Sequence, residues 1–223
     1  DKGKLIVVDG VFSMEGDDTP LPEIVKHKNT YGAGLFVDEA HSLGVFGQNG
    51  RGVAEHFGLE SEVDLIMGTF SKSMATVGGF IACDDPQIVD FLKHTARSQI
   101  FTAAIPPGAA GAVSAAIDII EAEPERRQQL WDNTHYMKSE LESLGFETCG
   151  SQSPVIPLLI GDDLVTYQMA NRLQEEGVFV NAVVTPAVPP GHGVIRTSYM
   201  ATHTREHLDQ ALGAISKVGR ELS

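Results

Sequence analysis

Four short apolar runs in the first part of the chain predict the strands of a sheet. They cover residues 5–8, 34–37, 65–67 and 79–82. Apolar runs without polar alternation are typical of strands buried on both faces, as in α/β sheets. A helical stretch over residues 21–31 lies between the first two runs, with Pro22 in its first turn. Polar or small residues directly follow three of the runs, which places candidate chemistry at the carboxyl ends of strands.

The second half of the chain predicts two further helices and then a small α/β domain. The helices cover residues 107–121 and 124–144, and Gly145 suits the residue that ends a helix. The small domain follows as strand, helix, strand, strand and helix over residues 154–160, 164–176, 178–184, 194–199 and 204–222. We therefore predict part of a large domain over residues 1–122, a connecting helix over 123–150 and a small carboxyl-terminal domain over 151–223.

The charge balance and the cysteines narrow the classes of function. The 223 residues include 30 acidic and 16 basic side chains, for a net charge of -14. A surface this acidic repels a phosphate backbone and argues against nucleic acid as a partner. Cys83 and Cys149 form no C-x-x-C pair, so we expect neither a disulfide framework nor a zinc ribbon. We expect a cytoplasmic location instead. No apolar run is long enough for a transmembrane segment.

A lysine among hydroxyl groups is the strongest local signal. Lys72 lies in the sequence G-T-F-S-K-S, directly after the third predicted strand. A lysine with a lowered pKa supplies the amine for a Schiff base with an aldehyde cofactor. The hydroxyls of Thr69 and Ser71 and the amides of the turn can bind a phosphate tail. The alternative is a solvated lysine in an ordinary turn.

A carboxylate follows the second strand in the sequence D-E-A-H, residues 38–41. Asp38 can hold a proton on a pyridinium nitrogen, and His41 can reach the same ring. One alternative is that Asp38 caps a helix. Another is the metal-binding box of a helicase, but the phosphate loop G-x-x-x-x-G-K-[ST] that accompanies that box does not occur in the sequence.

Two further signals lie in the small domain. Arg196 interrupts an apolar strand pattern, which indicates either a buried ion pair or a clamp for a substrate carboxylate. The sequence from His203 to His207 reads H-T-R-E-H and matches the H-x-x-E-H string of some zinc peptidases. That metal site needs both histidines on one helix. Thr204 is a suitable helix N-cap and would leave His203 outside the helix, so we expect no metal site.

Five stretches together resemble the α-oxoamine synthases, pyridoxal-phosphate (PLP) enzymes of fold type I. They are VDGVFSMEGD at 8–17, VDEAHSLG at 37–44, GQNGRG at 47–52, GTFSK at 68–72 and FTAAIPP at 101–107. The resemblance implies an α/β fold that comprises part of the large-domain sheet and a small carboxyl-terminal α/β domain. Within the family, residues 70–79 are most similar to bacterial serine palmitoyltransferases. Val184 stands where those enzymes tend to carry an arginine, which leaves the amino acid and the acyl chain open.

The resemblance also implies the reaction and the groups around the cofactor ring. The reaction is a decarboxylative condensation of an amino acid with an acyl-CoA, which gives a 2-amino-3-ketone. Lys72 would bind the cofactor covalently and move the α-proton of the substrate. Asp38 would pair with the ring nitrogen. His41 and Ser13 would lie near the ring hydroxyl.

The remaining implied roles concern the phosphate and the substrate. Thr69 and Ser71 would bind the cofactor phosphate, and Thr102 would reach it across the interface of a homodimer. Arg196 would bind the carboxylate of the amino acid. A fold-type I aminotransferase is the nearest alternative, since it would share Asp38 and Lys72, and a non-catalytic fragment is another.

The resemblance covers only the carboxyl-terminal part of the family's length. We therefore expect the functional enzyme to have about 150–200 further residues upstream, the size of an added domain. Residues 1–223 alone should then bind PLP weakly and turn over slowly or not at all. We also expect an exposed apolar sheet edge beside residues 5–8 and an open face over Asp38.

Overall fold

Three parallel strands and one antiparallel strand form the first sheet of this computed structural model, which describes residues 2–222. They are β1 Leu5–Asp9, β2 Gly34–Asp38, β3 Leu65–Thr69 and β4 Gly79–Ala82. The order is β1-β2-β3-β4, and only β4 runs antiparallel to its neighbour. All four predicted strands are confirmed to within two residues. Asp1 and Ser223, the outer ends of the predicted domains, lie outside the described residues.

The chain divides into two compact units, and each is described by itself. The first comprises residues 2–11 and 19–124, and the second comprises residues 12–18 and 125–222. The first unit has five α-helices and the 3-10 helix Glu60–Glu62 in its described part. The α-helices are α1 Leu21–Tyr31, α2 Val53–His56, α3 Pro86–Thr95, α4 Arg97–Ile100 and α5 Pro107–Ala122.

Helix α1 buries its apolar face against the sheet. Leu21 of α1 and Leu35 and Val37 of β2 are fully buried. Each such side chain contributes about 1.5–3 kcal/mol relative to an exposed one. The helix ends at Gly32, whose φ of 58° is left-handed and whose amide donates to the oxygen of Lys28. The chain then turns directly into β2, which carries the first polar cluster at its end.

Strand β1 differs from its predicted burial. Leu5 and Val7 are 58% and 62% exposed, so the run is not buried on both faces. The pair forms the exposed apolar edge that we expected beside residues 5–8. Apolar surface of this kind commonly marks a contact with other polypeptide.

The second unit packs helices against a three-stranded antiparallel sheet in the order β5-β7-β6. Its elements are α6 Pro124–Ser143, β5 Val155–Gly161, α7 Asp163–Glu175, β6 Asn181–Val183, β7 Gly193–Ser198 and α8 Arg205–Glu221. The core joins side chains of all three helices to β5 and β7, among them Met137, Ile156, Leu173, Ile195 and Ile215. Gly145 follows α6 with a φ of 89°. The carboxyl-terminal part is a unit of helices and strands as predicted, and this unit also includes the predicted connecting helix and residues 12–18.

Candidate active site

The parallel strands bring polar residues to one edge of the first sheet. Asp9 at the end of β1 lies in register with Asp38 at the end of β2, and Asp38 lies in register with Met67 of β3. Strand β3 ends two residues later at Thr69 and leads into the turn that carries Lys72. Carboxyl ends of neighbouring parallel strands share one edge, which is where open α/β sheets bind ligands.

Asp38 is half-buried and fixed by its surroundings. Its Oδ1 accepts a hydrogen bond of 2.9 Å from the amide of Ala40, and its backbone oxygen accepts one of 2.7 Å from the amide of Gly10. Residues 40–45 form turns and not a helix. The alternative that Asp38 caps a helix is therefore wrong. Its second carboxylate oxygen can accept a further bond.

Asp9 is a neighbour of the site that the sequence did not single out. The pKa of its carboxyl is raised above the ordinary value, chiefly by partial burial and then by the negative charge of Asp38. The positive charge of Lys72 lowers it. Asp9 is thus close enough to both Asp38 and Lys72 to interact electrostatically with each.

Lys72 lies in a turn whose backbone is well fixed. The amide of Phe70 donates to the oxygen of Gly78 at 2.9 Å, and the amide of Thr76 donates to the oxygen of Phe70 at 2.8 Å. Within this turn the amide of Ala75 donates to the oxygen of Lys72 at 2.9 Å, and Ala75 takes a left-handed φ of 51°. The lysine is exposed, and its position is set by the strand before it.

The two hydroxyls before Lys72 are brought together. Thr69 Oγ1 and Ser71 Oγ lie 2.8 Å apart, and the amide of Ser71 donates to Thr69 Oγ1 at 3.2 Å. Thr69 Oγ1 also lies 3.3 Å from the oxygen of Gly78. Rotation about the Cβ–Oγ bond lets each of these paired hydroxyls turn its proton toward an anion.

Glycines allow the aspartate loop to approach the lysine turn. Gly44 has a φ of 79°, and a Cβ added there would lie 2.8 Å from Cβ of Ser73. A Cβ added at Gly68 would lie 2.5 Å from the ring of Phe80. A side chain at Gly44 would push the two loops apart, and one at Gly68 would clash with the ring of Phe80 in β4. The amine, the hydroxyl pair and the Asp38 carboxylate thus belong to one edge of one unit, which fits a cofactor with an aldehyde, a phosphate and a basic ring nitrogen.

The structure places two further predicted residues in the same unit. His41 is half-buried in the turn that follows Asp38. Thr102 is exposed in the segment between α4 and α5. Their roles toward a cofactor remain predictions.

Ser13 and Arg196 are brought together in the second unit. Arg196 Nε donates to the backbone oxygen of Ser13 at 2.6 Å, and Nη1 donates to Ser198 Oγ at 2.9 Å. Partial burial lowers the pKa of the Arg196 guanidinium. Among residues 2–222 no carboxylate forms an ion pair with it, so the structural ion pair that the sequence left open is not formed there. Arg196 also lines a cavity of about 580 Å³ together with Asn181, Tyr199 and His203.

The H-x-x-E-H string has a structural explanation. Thr204 is the N-cap of α8, and its Oγ1 accepts a hydrogen bond of 3.3 Å from the amide of His207. In return His207 Nδ1 accepts one of 3.3 Å from the amide of Thr204. The predicted N-cap is confirmed. The two histidines do not share a helix, and the described part of the chain contains no cluster of metal-binding side chains.

Glu39, like Asp9, is a residue of this region that sequence reasoning missed. Its side chain is fully buried, and its carboxylate accepts hydrogen bonds from the amides of Val53 at 2.8 Å and Ala54 at 2.9 Å. The hydroxyl of Ser42 donates to the same carboxylate. The partners lie up to 15 residues away along the chain. The signal available in the sequence was Gly52, directly before α2, since a glycine can mark a close approach to another group.

Comparisons with known proteins agree with this geometry. Residues 1–215 match the family model described as aminotransferase class I and II. A serine palmitoyltransferase of Bacteroides thetaiotaomicron is 50% identical over 222 residues, which are 100% of this chain and 56% of that protein. An 8-amino-7-oxononanoate synthase of Symbiobacterium thermophilum is 47% identical over 219 residues, 98% of this chain and 56% of that protein.

A solved serine palmitoyltransferase with PLP superimposes with a TM-score of 0.94 at 37% identity, over 99% of this chain and 56% of that one. The predicted fold type and the resemblance to the α-oxoamine synthases are confirmed. The chain spans a little over half the length of these relatives. No helix within residues 2–222 has both the length and the apolar character needed to cross a membrane. By sequence and by fold, the chain belongs to the aminotransferase class I and II family.

Proposed function

We propose that this chain supplies the lysine and aspartate side of the active site of a PLP-dependent α-oxoamine synthase. The reaction is the condensation of an amino acid with an acyl-CoA, with loss of carbon dioxide and coenzyme A. One observation carries the proposal: Asp38 and the hydroxyl-flanked Lys72 follow neighbouring parallel strands at one edge of the sheet. The serine palmitoyltransferase and the oxononanoate synthase named above are of this kind.

When bound, PLP supplies an electron sink for the carbanion of the substrate. The residues of this chain would hold and orient it. Asp38, fixed by Ala40 and Gly10, would keep a proton at the ring nitrogen. Thr69 and Ser71 would donate hydrogen bonds to the phosphate. Lys72 would supply the amine for covalent attachment, and the same amine could accept and return the α-proton of the substrate.

Arg196 is the candidate for binding the substrate carboxylate. A guanidinium presents a planar fork that suits a carboxylate, and partial burial strengthens such a pair. Its Nε and Nη1 are held by Ser13 and Ser198. These bonds fix the side chain before the substrate arrives, which reduces the entropy lost on binding.

An aminotransferase is the second candidate, since the matching family model carries that description. Both reactions use a lysine and an aspartate of this kind, but only the synthase releases coenzyme A. A homodimer in which Thr102 contributes to the phosphate site of the partner, and a location in the cytoplasm, belong to the proposal as well.

The test is release of coenzyme A by the protein expressed from its complete reading frame. Palmitoyl-CoA with serine is the first pair to assay, followed by other amino acids and acyl chains, with a thiol reagent as the detector. We expect release that depends on both substrates and on PLP, and none from Lys72→Ala. Formation of a keto acid from the amino acid without release of coenzyme A would favour the aminotransferase.

A further inference from the structure

A buried carboxylate lies between the two residues that we assign to the cofactor ring. Glu39 follows Asp38 directly and precedes His41 by two positions, and its side chain is fully buried. A buried carboxylate is costly unless its oxygens receive hydrogen bonds. The Glu39 carboxylate has no role in the proposed reaction, so another role must explain why it is buried.

The carboxylate of Glu39 fastens the aspartate loop to α2. The amides of Val53 and Ala54, which the first turn of a helix leaves unpaired, donate to its two oxygens at 2.8 Å and 2.9 Å. The hydroxyl of Ser42 donates to Oε2 as well. Hydrogen bonds to a charged acceptor are about twice as strong as neutral ones. The two bonds from Val53 and Ala54 hold the loop at a fixed distance from α2, and the bond from Ser42 lies within the loop.

The neighbouring backbone leaves room for this carboxylate. A Cβ added at Gly52 would lie 2.4 Å from Oε2 of Glu39, and one added at Gly10 would lie 2.7 Å from the same atom. Gly52 also has a left-handed φ of 113°. Gly10 in turn donates to the backbone oxygen of Asp38 at 2.7 Å. The carboxylate of Glu39 is therefore surrounded by the ends of β1 and β2 and by the start of α2.

The backbone of Glu39 ties the same loop to the strand that leads to the lysine. Its amide donates to the oxygen of Met67 in β3 at 2.8 Å. Its own oxygen accepts from the amides of Ser42 at 3.2 Å and Leu43 at 2.9 Å. Movement of this residue would therefore change the placement of Asp38 and His41 relative to the turn that carries Lys72.

We infer that Glu39 is a positioning residue for the cofactor site. Its buried carboxylate holds the loop that carries Asp38 and His41, and so sets the alignment of both with a ring attached at Lys72. The inference rests on the proposed function. It predicts that loss of the carboxylate changes how the cofactor is held and protonated, beyond any loss of folding stability.

The decisive comparison is between Glu39→Gln and Glu55→Gln. Both replace a carboxylate that accepts backbone hydrogen bonds in the same segment, because Glu55 accepts from the amides of Asn49 and Arg51. The bonds that Glu55 accepts come from residues 49 and 51, which lie outside the turn that follows Asp38. At residue 39 the glutamine amide group would face backbone donors and could not replace both acceptor oxygens.

Three quantities are measured for the wild type and each variant: thermal unfolding without cofactor, the Kd of PLP, and the pH midpoint of the visible absorbance of the bound cofactor. We expect Glu39→Gln to weaken PLP binding by about tenfold, by analogy with the roughly 10- to 100-fold loss of metal affinity when a partner that orients a metal ligand is removed. We also expect it to shift the pH midpoint. Glu55→Gln should change only unfolding.

Ser42→Ala tests the inference even if Glu39→Gln does not fold. It removes one donor to Glu39 and leaves the two backbone bonds, so it should shift the pH midpoint in the same direction by a smaller amount. Wild-type Kd and midpoint in both Glu39→Gln and Ser42→Ala would overturn the inference, as would equal shifts in Glu55→Gln. All of these proteins are expressed from the complete reading frame. A wild type of that length that binds no PLP would overturn the proposed function and this inference with it.

Discussion

Replacing Arg196 with alanine tests how the amino-acid substrate is bound. The variant removes a half-buried guanidinium that donates to the oxygen of Ser13 at 2.6 Å and to Ser198 Oγ at 2.9 Å. Loss of a charge-assisted pair with a desolvated carboxylate costs about 2–5 kcal/mol. At 1.4 kcal/mol for each factor of ten, the amino acid should bind about 30- to 4000-fold more weakly.

The variant should retain its cofactor. Lys72 and Asp38 belong to the first unit, whereas Arg196 belongs to the second. Of the residues assigned to the cofactor, Ser13 is bonded to Arg196, and only through its backbone oxygen. The two lost hydrogen bonds contribute about 1 kcal/mol each to folding, so the variant should unfold at a lower temperature but remain folded at 25 °C. The assay is titration of the holoprotein with amino acid, followed by the change in visible absorbance.

Ser198→Ala provides the matched control, since it removes the hydroxyl that accepts from Nη1 and keeps the charge. It should weaken amino-acid binding by about 1 kcal/mol or less, the contribution of one neutral partner. Unchanged amino-acid affinity in Arg196→Ala would refute the reasoning and make the residue structural. Loss of PLP binding in that variant would also contradict it.

Three further predictions concern single residues. Borohydride reduction of the holoprotein followed by peptide mapping should place the pyridoxyl group on Lys72, and a label on another lysine would refute that assignment. Asp38→Asn should keep the fold and some cofactor but lose exchange of the substrate α-proton, measured by NMR in D₂O; near-normal exchange would remove Asp38 from the mechanism. Burial, and then the charge of His207, lowers the pKa of His203. The unfolded chain therefore binds more protons near pH 6, so the free energy of unfolding should rise with pH between about pH 5 and pH 8. Urea unfolding should show a smaller rise in His203→Asn.

The strands and the lysine turn could be predicted because their signals are local. An apolar run with a polar residue at its end identifies β2 and Asp38, and a lysine among hydroxyls identifies Lys72. The helix α3 was missed although Asp85 and Pro86 gave a start signal: the Asp85 carboxylate accepts from the amide of Gln87. The predicted strand over 178–184 was too long.

That error has a packing cause. Only Asn181–Val183 pairs with β7, whereas Val178 and Val180 pack against the core of the second unit without strand pairing. An apolar run does not distinguish burial against helices from burial in a sheet. Periodicity alone therefore located the segment but not the point at which pairing begins.

The role of Glu39 could not be predicted because it depends on residues far along the chain. In the sequence it is one letter of a motif between two residues with evident chemistry. In the structure its burial and its bonds to Val53 and Ala54 give it a distinct role. A carboxylate in a motif can bind the ligand or hold the loop in place. The hydrogen bonds that it accepts in the folded structure show which of the two it does.

Glycines around the site determine how closely its loops approach one another. The strands fix where Asp38 and Lys72 emerge, but the spacing between their loops depends on Gly44, where an added Cβ would lie 2.8 Å from Ser73. At Gly52 an added Cβ would meet Glu39 at 2.4 Å. Both take left-handed φ values, so another residue would be strained as well as crowded. The alignment of the reactive groups thus depends on positions that have no side chain of their own.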